Sequence, residues 1–259
     1  MTRSDSNRPA VAAVLLDIGG VLTEDGAALP GAVDGLHYLR ASELPFRLLT
    51  NTSRRSRRQL LAELQEQGLQ IGEAELITAP IAVLQYLQAE HLTPYYICSP
   101  ALREELPSPV AEPPDTVVVF DAGEQFCYAV LDEAFRYLQA GAGLVAVGDN
   151  RYYRSGGRLH LDAGPFIRAL EYAANTEALI IGKPAARFYH DVVAGLGVPP
   201  GQVLMVGDDV EADVLAAAHA GLAACLVKTG KYQRGDERAA PMAACIDSIG
   251  QLPALLSRH

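Results

Sequence analysis

Four apolar runs in the sequence, each typical of a buried strand, lead directly to polar residues that can do chemistry. The pairs are Val11–Leu16 with Asp17, Phe46–Leu49 with Thr50, Ala178–Ile181 with Gly182-Lys183, and Val203–Val206 with Gly207-Asp208-Asp209. They supply, in chain order, an acid, a hydroxyl, an ammonium and two further acids. These are the groups required for phosphoryl transfer.

Each group has a predicted role in such a reaction. Asp17 is the candidate nucleophile, and together with Asp208 it is a candidate ligand of Mg²⁺, a hard cation that prefers oxygen ligands. Lys183 and Thr50 are predicted to bind phosphate oxygens, and with Asp17 they form the predicted catalytic set. The metal allows an anionic carboxylate to approach an anionic phosphate.

Backbone donors are predicted to complete the phosphate site. N–H groups around Gly19, Gly20 and Asn51 are expected to form an anion-binding nest. Thr52 follows directly in the same loop, and we predict that it also contacts the substrate.

The elements that position these residues read as a doubly wound, parallel α/β sheet of the Rossmann-like kind. Ala32–Ala41 has helical spacing between the first two strands, which makes a strand–helix–strand unit. Thr52-Ser53 is a candidate cap for the next helix, which Gly68 ends. In an open sheet of this kind, the carboxyl ends of the strands meet at one crevice.

A second set of elements interrupts this pattern. Three strands and a helix are predicted between about Pro80 and Thr176, at Tyr95–Cys98, Val117–Phe120, Leu144–Val147 and Tyr128–Ala140. The sheet pattern resumes at Ala178–Ile181. We therefore predict a core of residues 1–79 and 178–259 with an inserted α/β cap domain of residues 80–177.

Composition narrows the class of partner. The chain has 259 residues, with 21 Lys and Arg against 31 Asp and Glu and a formal charge of −10, which disfavours nucleic acid and acidic membranes. Its four cysteines form no metal-ligand pattern, and residues 1–9 lack the apolar core of a signal peptide. We expect a reduced cytoplasmic protein with a small phosphorylated substrate.

The four motifs resemble those of the haloacid dehalogenase superfamily: Asp17-Ile18-Gly19-Gly20-Val21-Leu22, Leu49-Thr50-Asn51, Gly182-Lys183-Pro184, and Gly207-Asp208-Asp209 with Asp213. The resemblance covers essentially the whole chain, and the large insertion is similar to the α/β cap of the p-nitrophenyl-phosphatase-like subgroup. It implies an aspartyl-phosphate intermediate on Asp17, with Mg²⁺ touching Asp17, the Gly19 carbonyl and Asp208.

The resemblance leaves the other acids with two roles each. Asp213 is expected to orient the metal shell or Lys183, and Asp209 to be a water-mediated ligand or a support residue. It also places substrate specificity in the cap segment 149–154, where Asn150 is predicted to bind substrate. The alternative for that segment is an ordinary polar hairpin.

Gly19 departs from the family pattern. Most phosphatases of the superfamily have there a second aspartate that protonates the leaving oxygen and then activates water, and such catalysis contributes about 10²–10⁴-fold. Without it, we expect activated phosphates as substrates: pyrophosphate, phosphoramidates, and aryl or acyl phosphates. Glu24, Asp25 and Asp209 are candidate helpers for the water.

Competing hypotheses remain open at this point. A binding or regulatory protein on the same fold would also tolerate Gly19. A receiver domain has its groups in another order, and a dehalogenase has no need of the acids at 208 and 209. The arginines at 54, 55, 57 and 58 are expected to form the solvent-exposed start of a helix. The oligomeric alternative to a monomer is a homodimer.

Overall fold

The computed structural model describes residues 10–108, 113–155 and 157–257. Contacts divide the chain into two compact units. The first unit holds the described residues up to Leu49, Glu63–Leu76 and the residues from Tyr189 onward, and the second holds Thr50–Ala62 and Ile77–Phe188. Residues 1–9, in which the sequence predicts no signal-peptide core, lie outside the described part.

The strands, numbered in chain order, are β1 Ala13–Asp17, β2 Thr23–Glu24, β3 Ala27–Ala28, β4 Phe46–Thr50, β5 Leu76–Thr78, β6 Pro94–Ile97, β7 Thr116–Val119, β8 Gly143–Ala146, β9 Tyr152–Ser155, β10 Arg158–Leu161, β11 Leu179–Ile180, β12 Val203–Gly207, β13 Ala223–Val227 and β14 Ala244–Ile246.

The α-helices are α1 Ala32–Ala41, α2 Arg57–Glu66, α3 Ala79–Ala89, α4 Pro100–Arg103, α5 Tyr128–Gln139, α6 Gly164–Ala174, α7 Ala186–Leu196, α8 Ala216–His219 and α9 Leu252–Leu256. A π-helical segment, Val210–Leu215, leads into α8. No helix in the described part of the chain is both long and apolar enough to cross a membrane.

The main sheet has six strands in the order β14-β13-β12-β1-β4-β5. β1 lies in its middle, in parallel with β12 on one side and β4 on the other. Ala13 to Leu16 are 0% exposed, as expected for a continuous apolar strand that is covered on both faces. The strand order reverses between β1 and β12, which is where open α/β sheets bind their ligands.

The second unit has a sheet of its own, with four parallel strands in the order β11-β8-β7-β6. Its core packs apolar residues of this sheet against α5 and α6, including Val117, Leu144 and Ile167. β9 and β10 form a separate antiparallel hairpin. The predicted doubly wound α/β class with a further α/β region is confirmed.

One predicted strand belongs to a different sheet. Ala178–Ile181 was expected to resume the main sheet, but Leu179–Ile180 pairs in parallel with Val145–Ala146 of β8. The apolar run marks a strand without indicating its partner, so the sequence alone does not distinguish the two sheets. The division into residues 1–79, 80–177 and 178–259 remains a prediction.

The start of α2 also differs from the prediction. Ser56, not Thr52-Ser53, caps this helix: the Gln59 N–H donates to Ser56 Oγ and the Ser56 N–H donates to Gln59 Oε1, each over 3.1 Å. This reciprocal pair is a capping box. The Ser53 hydroxyl instead accepts a hydrogen bond from the Asp121 N–H over 2.9 Å.

Candidate functional site

Asp17, the last residue of β1, is the starting point of the candidate site. β12 lies beside β1 in parallel, and Asp208 follows its last residue. The two carboxylates therefore meet at the carboxyl edge of the sheet. Asp213 adds a third: one oxygen from each of Asp17, Asp208 and Asp213 lies within 4.8 Å of the others. The fold brings together the two side chains predicted to hold a metal.

The Asp208 carboxylate is buried, with 2% of the residue exposed. Its Oδ2 accepts a hydrogen bond from the Lys231 N–H over 2.7 Å. Its Oδ1 is also buried, and it has no hydrogen-bond partner among the described residues. A buried carboxylate oxygen without a donor is costly. A divalent cation coordinated by this oxygen would remove the cost, so the donor set fits Mg²⁺.

Electrostatics support the same conclusion. Burial, together with the nearby carboxylates of Asp17 and Asp213, raises the pKa of Asp208 to about 8, although Lys231 acts in the opposite direction. Like charges this close repel each other, so without a cation the protein favours a bound proton.

Two glycines make room for the Asp208 carboxylate. A Cβ at Gly20 would lie 2.0 Å from Asp208 Oδ2, and a Cβ at Gly230 would lie 2.1 Å from the same atom. Both residues also have positive φ, 76° and 60°. The Gly20 N–H, predicted to bind phosphate, donates to the Thr23 carbonyl over 2.7 Å. This turn uses the donor, so the close approach to Asp208 explains the glycine better than a phosphate contact does.

Asp209 has the contacts of a support residue. Its Oδ1 accepts the N–H groups of Glu211 and Ala212, which caps the π-helical segment, and its Oδ2 pairs with Lys231 Nζ over 3.1 Å. Burial acts to raise the pKa of Asp209, but Lys231 and the backbone donors outweigh it and lower the pKa. An ionised carboxylate therefore anchors the Lys231 segment.

Lys231 is a residue that the sequence analysis missed. Its backbone binds Asp208 and its ammonium binds Asp209, so it touches two consecutive acids of one motif. The signal was present, because Thr229-Gly230-Lys231 begins two residues after the carboxyl end of β13, near the edge where Asp208 follows β12.

Asp213 owes its place to Gly207, the last residue of β12. A Cβ at Gly207 would lie 2.2 Å from Asp213 Cβ, so only glycine permits this packing. The Asp209 N–H donates to Asp213 Oδ2 over 3.3 Å. Asp213 is 1% exposed, and it belongs to the carboxylate group rather than to the surface.

Gly19 differs from the other glycines of the site. A Cβ added there meets nothing within 4 Å, and its backbone has no positive φ. The fold therefore does not require glycine at this position and would accept a side chain. Glu24 and Asp25, predicted as helpers for water, are exposed in the β2–β3 hairpin. That role remains a prediction, as does the Gly19 carbonyl as a metal ligand.

The second unit brings Asn51 and Lys183 together. Asn51 Nδ2 donates to the Lys183 carbonyl over 2.6 Å, and the Lys183 N–H donates to Asn51 Oδ1 over 2.9 Å. The loop after β4 is thus joined to the predicted Lys183 motif through both polar atoms of one amide. Lys183 is only 6% exposed.

The hydroxyls of the same loop also form a local network. Thr50 Oγ1 donates to Thr52 Oγ1 over 3.0 Å, and it accepts the Thr52 N–H over 3.1 Å. Thr50 is 6% exposed, so the hydroxyl is held in a fixed orientation. Their contact with substrate remains a prediction.

Arg54 connects this loop to the β9–β10 hairpin. Its guanidinium donates to the Tyr153 hydroxyl over 2.5 Å and to Asp121 over 2.9 Å, and it lies 4.9 Å from the centroid of the Tyr153 ring. Tyr153 in turn stacks on His160. Arg54 is therefore a structural member of the second unit, unlike a freely solvated residue at a helix start.

Residues 149–153 contain the predicted turn and rings, while the Arg154 side chain lies outside the described part. Asp149 pairs with Arg168, and the Asn150 carbonyl accepts the Gly164 N–H over 3.1 Å. These contacts fix the entry to the hairpin. Substrate binding by Asn150 remains a prediction.

The predicted residues thus form two sets. Asp17, Gly19, Gly20 and Asp208 belong to the first unit, whereas Thr50, Asn51, Thr52, Asn150 and Lys183 belong to the second. The first unit brings the carboxylates of Asp17 and Asp208 close together, and the second holds two hydrogen-bonded pairs, Thr50 with Thr52 and Asn51 with Lys183. Convergence of the two sets on one substrate remains a prediction.

Comparison with known protein families finds two matches. Residues 14–108 match a model described as haloacid dehalogenase-like hydrolase, and residues 180–252 match one described as HAD-hydrolase-like. A haloacid dehalogenase-like hydrolase domain-containing protein 2 from Bos taurus is 38% identical over 90% of each chain. A phospholysine phosphohistidine inorganic pyrophosphate phosphatase from Homo sapiens is 36% identical over 96% of this chain and 95% of its own.

Solved structures show the same architecture. A 4-nitrophenylphosphatase from Thermotoga maritima superposes with a TM-score of 0.87 at 24% identity, covering 94% of this chain and 97% of its own. A glycerol phosphate phosphatase from Mycobacterium tuberculosis, solved in complex with magnesium, has a TM-score of 0.83 at 25% identity, covering 93% and 76%.

Proposed function

Because this chain belongs to the haloacid dehalogenase-like hydrolases, we propose that it is a magnesium-dependent phosphohydrolase with Asp17 as its nucleophile. The observation that carries the proposal is the carboxylate group of Asp17, Asp208 and Asp213, with one buried Asp208 oxygen that lacks a partner in the described structure. Asp17 and Asp208 would hold the cation, with the Gly19 carbonyl as a third ligand. The cation would neutralise phosphate oxygens as Asp17 approaches.

In this mechanism an Asp17 carboxylate oxygen attacks phosphorus, and the bond from phosphorus to the leaving group breaks. The product is an aspartyl phosphate on Asp17. Water then attacks that phosphorus, the bond to Asp17 breaks, and inorganic phosphate leaves with the carboxylate regenerated. Lys183 and Thr50 would bind the phosphate oxygens during both steps, together with the Asn51 N–H, and Thr52 would also contact the substrate.

Gly19 points to the substrate class. It cannot donate a proton to the leaving group, so substrates whose leaving group departs without one are favoured. We propose pyrophosphate, phosphoramidates, and aryl or acyl phosphates. The open space at Gly19 supports this proposal. Packing does not require glycine there, so its effect is to remove the proton donor found in most phosphatases of the family.

The first experiment measures phosphate release from pyrophosphate and p-nitrophenyl phosphate with and without Mg²⁺. We expect metal-dependent release by the wild type and at least about a 10³-fold loss in Asp17→Asn, since the nucleophile is gone. Asp34→Asn, which changes an exposed acid in α1, is the matched control. A binding or regulatory protein on this fold would show no release, and equal rates in Asp17→Asn would refute the nucleophile.

A second experiment tests the substrate class with Gly19→Asp and Gly19→Ala. Both side chains fit the open space, but only aspartate brings a proton. We expect Gly19→Asp to raise kcat for alkyl phosphates most, by about 10-fold or more, and Gly19→Ala to raise none. Equal gains on alkyl and activated phosphates would overturn the role given to Gly19.

The proposed partner is a small phosphorylated molecule, not nucleic acid or a membrane. The four cysteines are free thiols, which is compatible with the cytoplasmic location that we propose. A homodimer remains a prediction that size-exclusion chromatography with light scattering would test.

A further inference from the structure

The Asn51 side chain forms hydrogen bonds to a single residue, Lys183, through both its amide oxygen and its amide NH2 group. It accepts from the Lys183 N–H over 2.9 Å and donates to the Lys183 carbonyl over 2.6 Å. The two residues are 132 positions apart in the chain, so this pairing is tertiary and not a local turn. An amide that bonds both the N–H and the carbonyl of one residue restrains the two peptide units on either side of that residue.

Close packing confines the amide further. A Cβ at Gly148, just after β8, would lie 2.9 Å from Asn51 Nδ2, and a Cβ at Gly182 would lie 2.5 Å from Asn51 Oδ1. Glycine at both positions therefore leaves room for Asn51. Two separate segments of the second unit, at Gly148 and at Gly182-Lys183, therefore pack around the Asn51 side chain.

We propose that Asn51 is a positioning residue that sets the orientation of Lys183 for phosphate binding. Its side chain acts on the backbone of Lys183, while phosphate contacts come from Lys183 itself and from backbone donors. This inference rests on the proposed function, and it gives the Asn51 side chain a task of its own beside the backbone contact predicted from sequence.

The consequence for chemistry follows from geometry. Lys183 is almost completely buried, so the direction of its side chain depends on how its backbone is held. Displacement of a phosphate-binding group by about 1 Å costs up to about 10²-fold in rate. Loss of the Asn51 contacts should therefore act on catalysis through Lys183.

The test is a double-mutant cycle on the full-length protein with Mg²⁺. Asn51→Ala should lower kcat/KM for p-nitrophenyl phosphate by roughly 10- to 100-fold in the wild type. In a Lys183→Met background, the same substitution should cost less than about 3-fold, because the residue through which it acts is gone. Calorimetric binding of inorganic phosphate should show the same non-additivity.

A second variant avoids cutting the Asn51 side chain. Gly148→Ala should push the Asn51 amide away and reproduce the loss, because the atom it meets is the end of a side chain. Gly143→Ala, in β8 with its nearest contact at 4.0 Å, is the matched control and should leave activity unchanged.

The outcomes separate the inference from the proposed function. A full 10- to 100-fold loss from Asn51→Ala in the Lys183→Met background would show direct substrate binding and overturn the inference alone. Wild-type activity after Gly148→Ala would overturn it as well. Undiminished turnover in Asp17→Asn would instead reject the proposed function.

Discussion

The two units hold their functional residues by opposite means. In the first unit, three carboxylates lie within 4.8 Å of one another, and one buried oxygen has no partner in the described structure. In the second unit, Thr50, Thr52 and Asn51 form hydrogen bonds of 2.6 to 3.1 Å within the protein. The carboxylate group of the first unit thus has a buried oxygen without a described partner, whereas these side chains of the second unit are hydrogen-bonded within the protein.

The difference shows what each group needs from outside. The surrounding fold holds the three carboxylates together against their mutual repulsion, and a bound cation would offset that repulsion. The neutral loop of the second unit needs no added charge to keep its shape. Metal binding should therefore change the stability of the first unit much more than that of the second.

The largest effect should come from Asp208→Asn. It removes one ligand charge, so we expect Mg²⁺ binding to weaken by more than about 10²-fold, beyond the cost of losing a supporting contact. At pH values above about 8, where the Asp208 carboxyl of the metal-free protein is ionised, the substitution also removes repulsion, so the metal-free variant should melt at a higher temperature. Titration calorimetry and thermal melting check the two parts.

Glu211→Gln, which changes a nearby exposed acid, is the control for that experiment. Unaltered Mg²⁺ affinity in Asp208→Asn would remove the contrast between the two units.

Next in size is the effect of crowding Asp208. Gly20→Ala or Gly230→Ala would place a methyl group about 2 Å from Asp208 Oδ2 at positive φ. We expect a loss of about 2–4 kcal/mol in the free energy of unfolding, measured by urea denaturation. Gly19→Ala, where nothing lies within 4 Å, should change it little. Similar losses in all three variants would contradict the packing argument.

The third effect in size is the pH dependence of stability that Asp208 gives the first unit. The pKa of Asp208 is raised to about 8, above that of an unfolded carboxyl, so the folded state holds its proton more tightly. The contribution of Asp208 to the stability of the metal-free protein is therefore fully present at low pH and should fall by about 1–3 kcal/mol between pH 5 and 8. Saturating Mg²⁺ should flatten this slope, and Asp208→Asn should abolish it. A slope that persists in Asp208→Asn would assign it to other groups.

The smallest effect is expected in the second unit. Tyr153→Phe removes the acceptor of the Arg54 bond but keeps the ring beneath the guanidinium. We expect a loss of about 0.5–1.5 kcal/mol that is the same with and without Mg²⁺. Thermal melting of wild type and variant, each in chelator and in Mg²⁺, measures this loss. A loss that depends strongly on the metal would contradict the assignment of Tyr153 to a metal-independent second unit.

The sequence was sufficient for the strand ends that carry Asp17 and Asp208. Continuous apolar runs predict parallel strands, and parallel strands bring their last residues to one edge. The sequence was insufficient where a strand could pair with either of two sheets. The strand at residues 179–180 has the same apolar character whichever sheet it joins, and only tertiary pairing decides.

The candidate site shows the same limit. Thr52-Ser53 and Ser56 both offer hydroxyls for a helix cap, but only Ser56 has Gln59 three residues later to complete the capping box. Lys231 binds Asp208 through its backbone, and a backbone donor leaves no trace in residue type. The only sequence signal for Lys231 was its position after a strand. The packing of Gly20 and Gly230 against Asp208 follows from tertiary structure and has no sequence signal.

The glycines packed against Asp208 and Asp213 also bear on how the site would change during evolution. Acids can persist in a sequence for surface or capping reasons after a metal has been abandoned. Gly20, Gly207 and Gly230 are different, since the space each one leaves is filled by Asp208 or Asp213. In a lineage freed from metal binding, replacement of Asp208 or Asp213 would relieve the crowding at these positions, and side chains could then replace the glycines at lower cost. Their joint presence in a descendant sequence is thus a stricter mark of a working centre than the aspartates themselves.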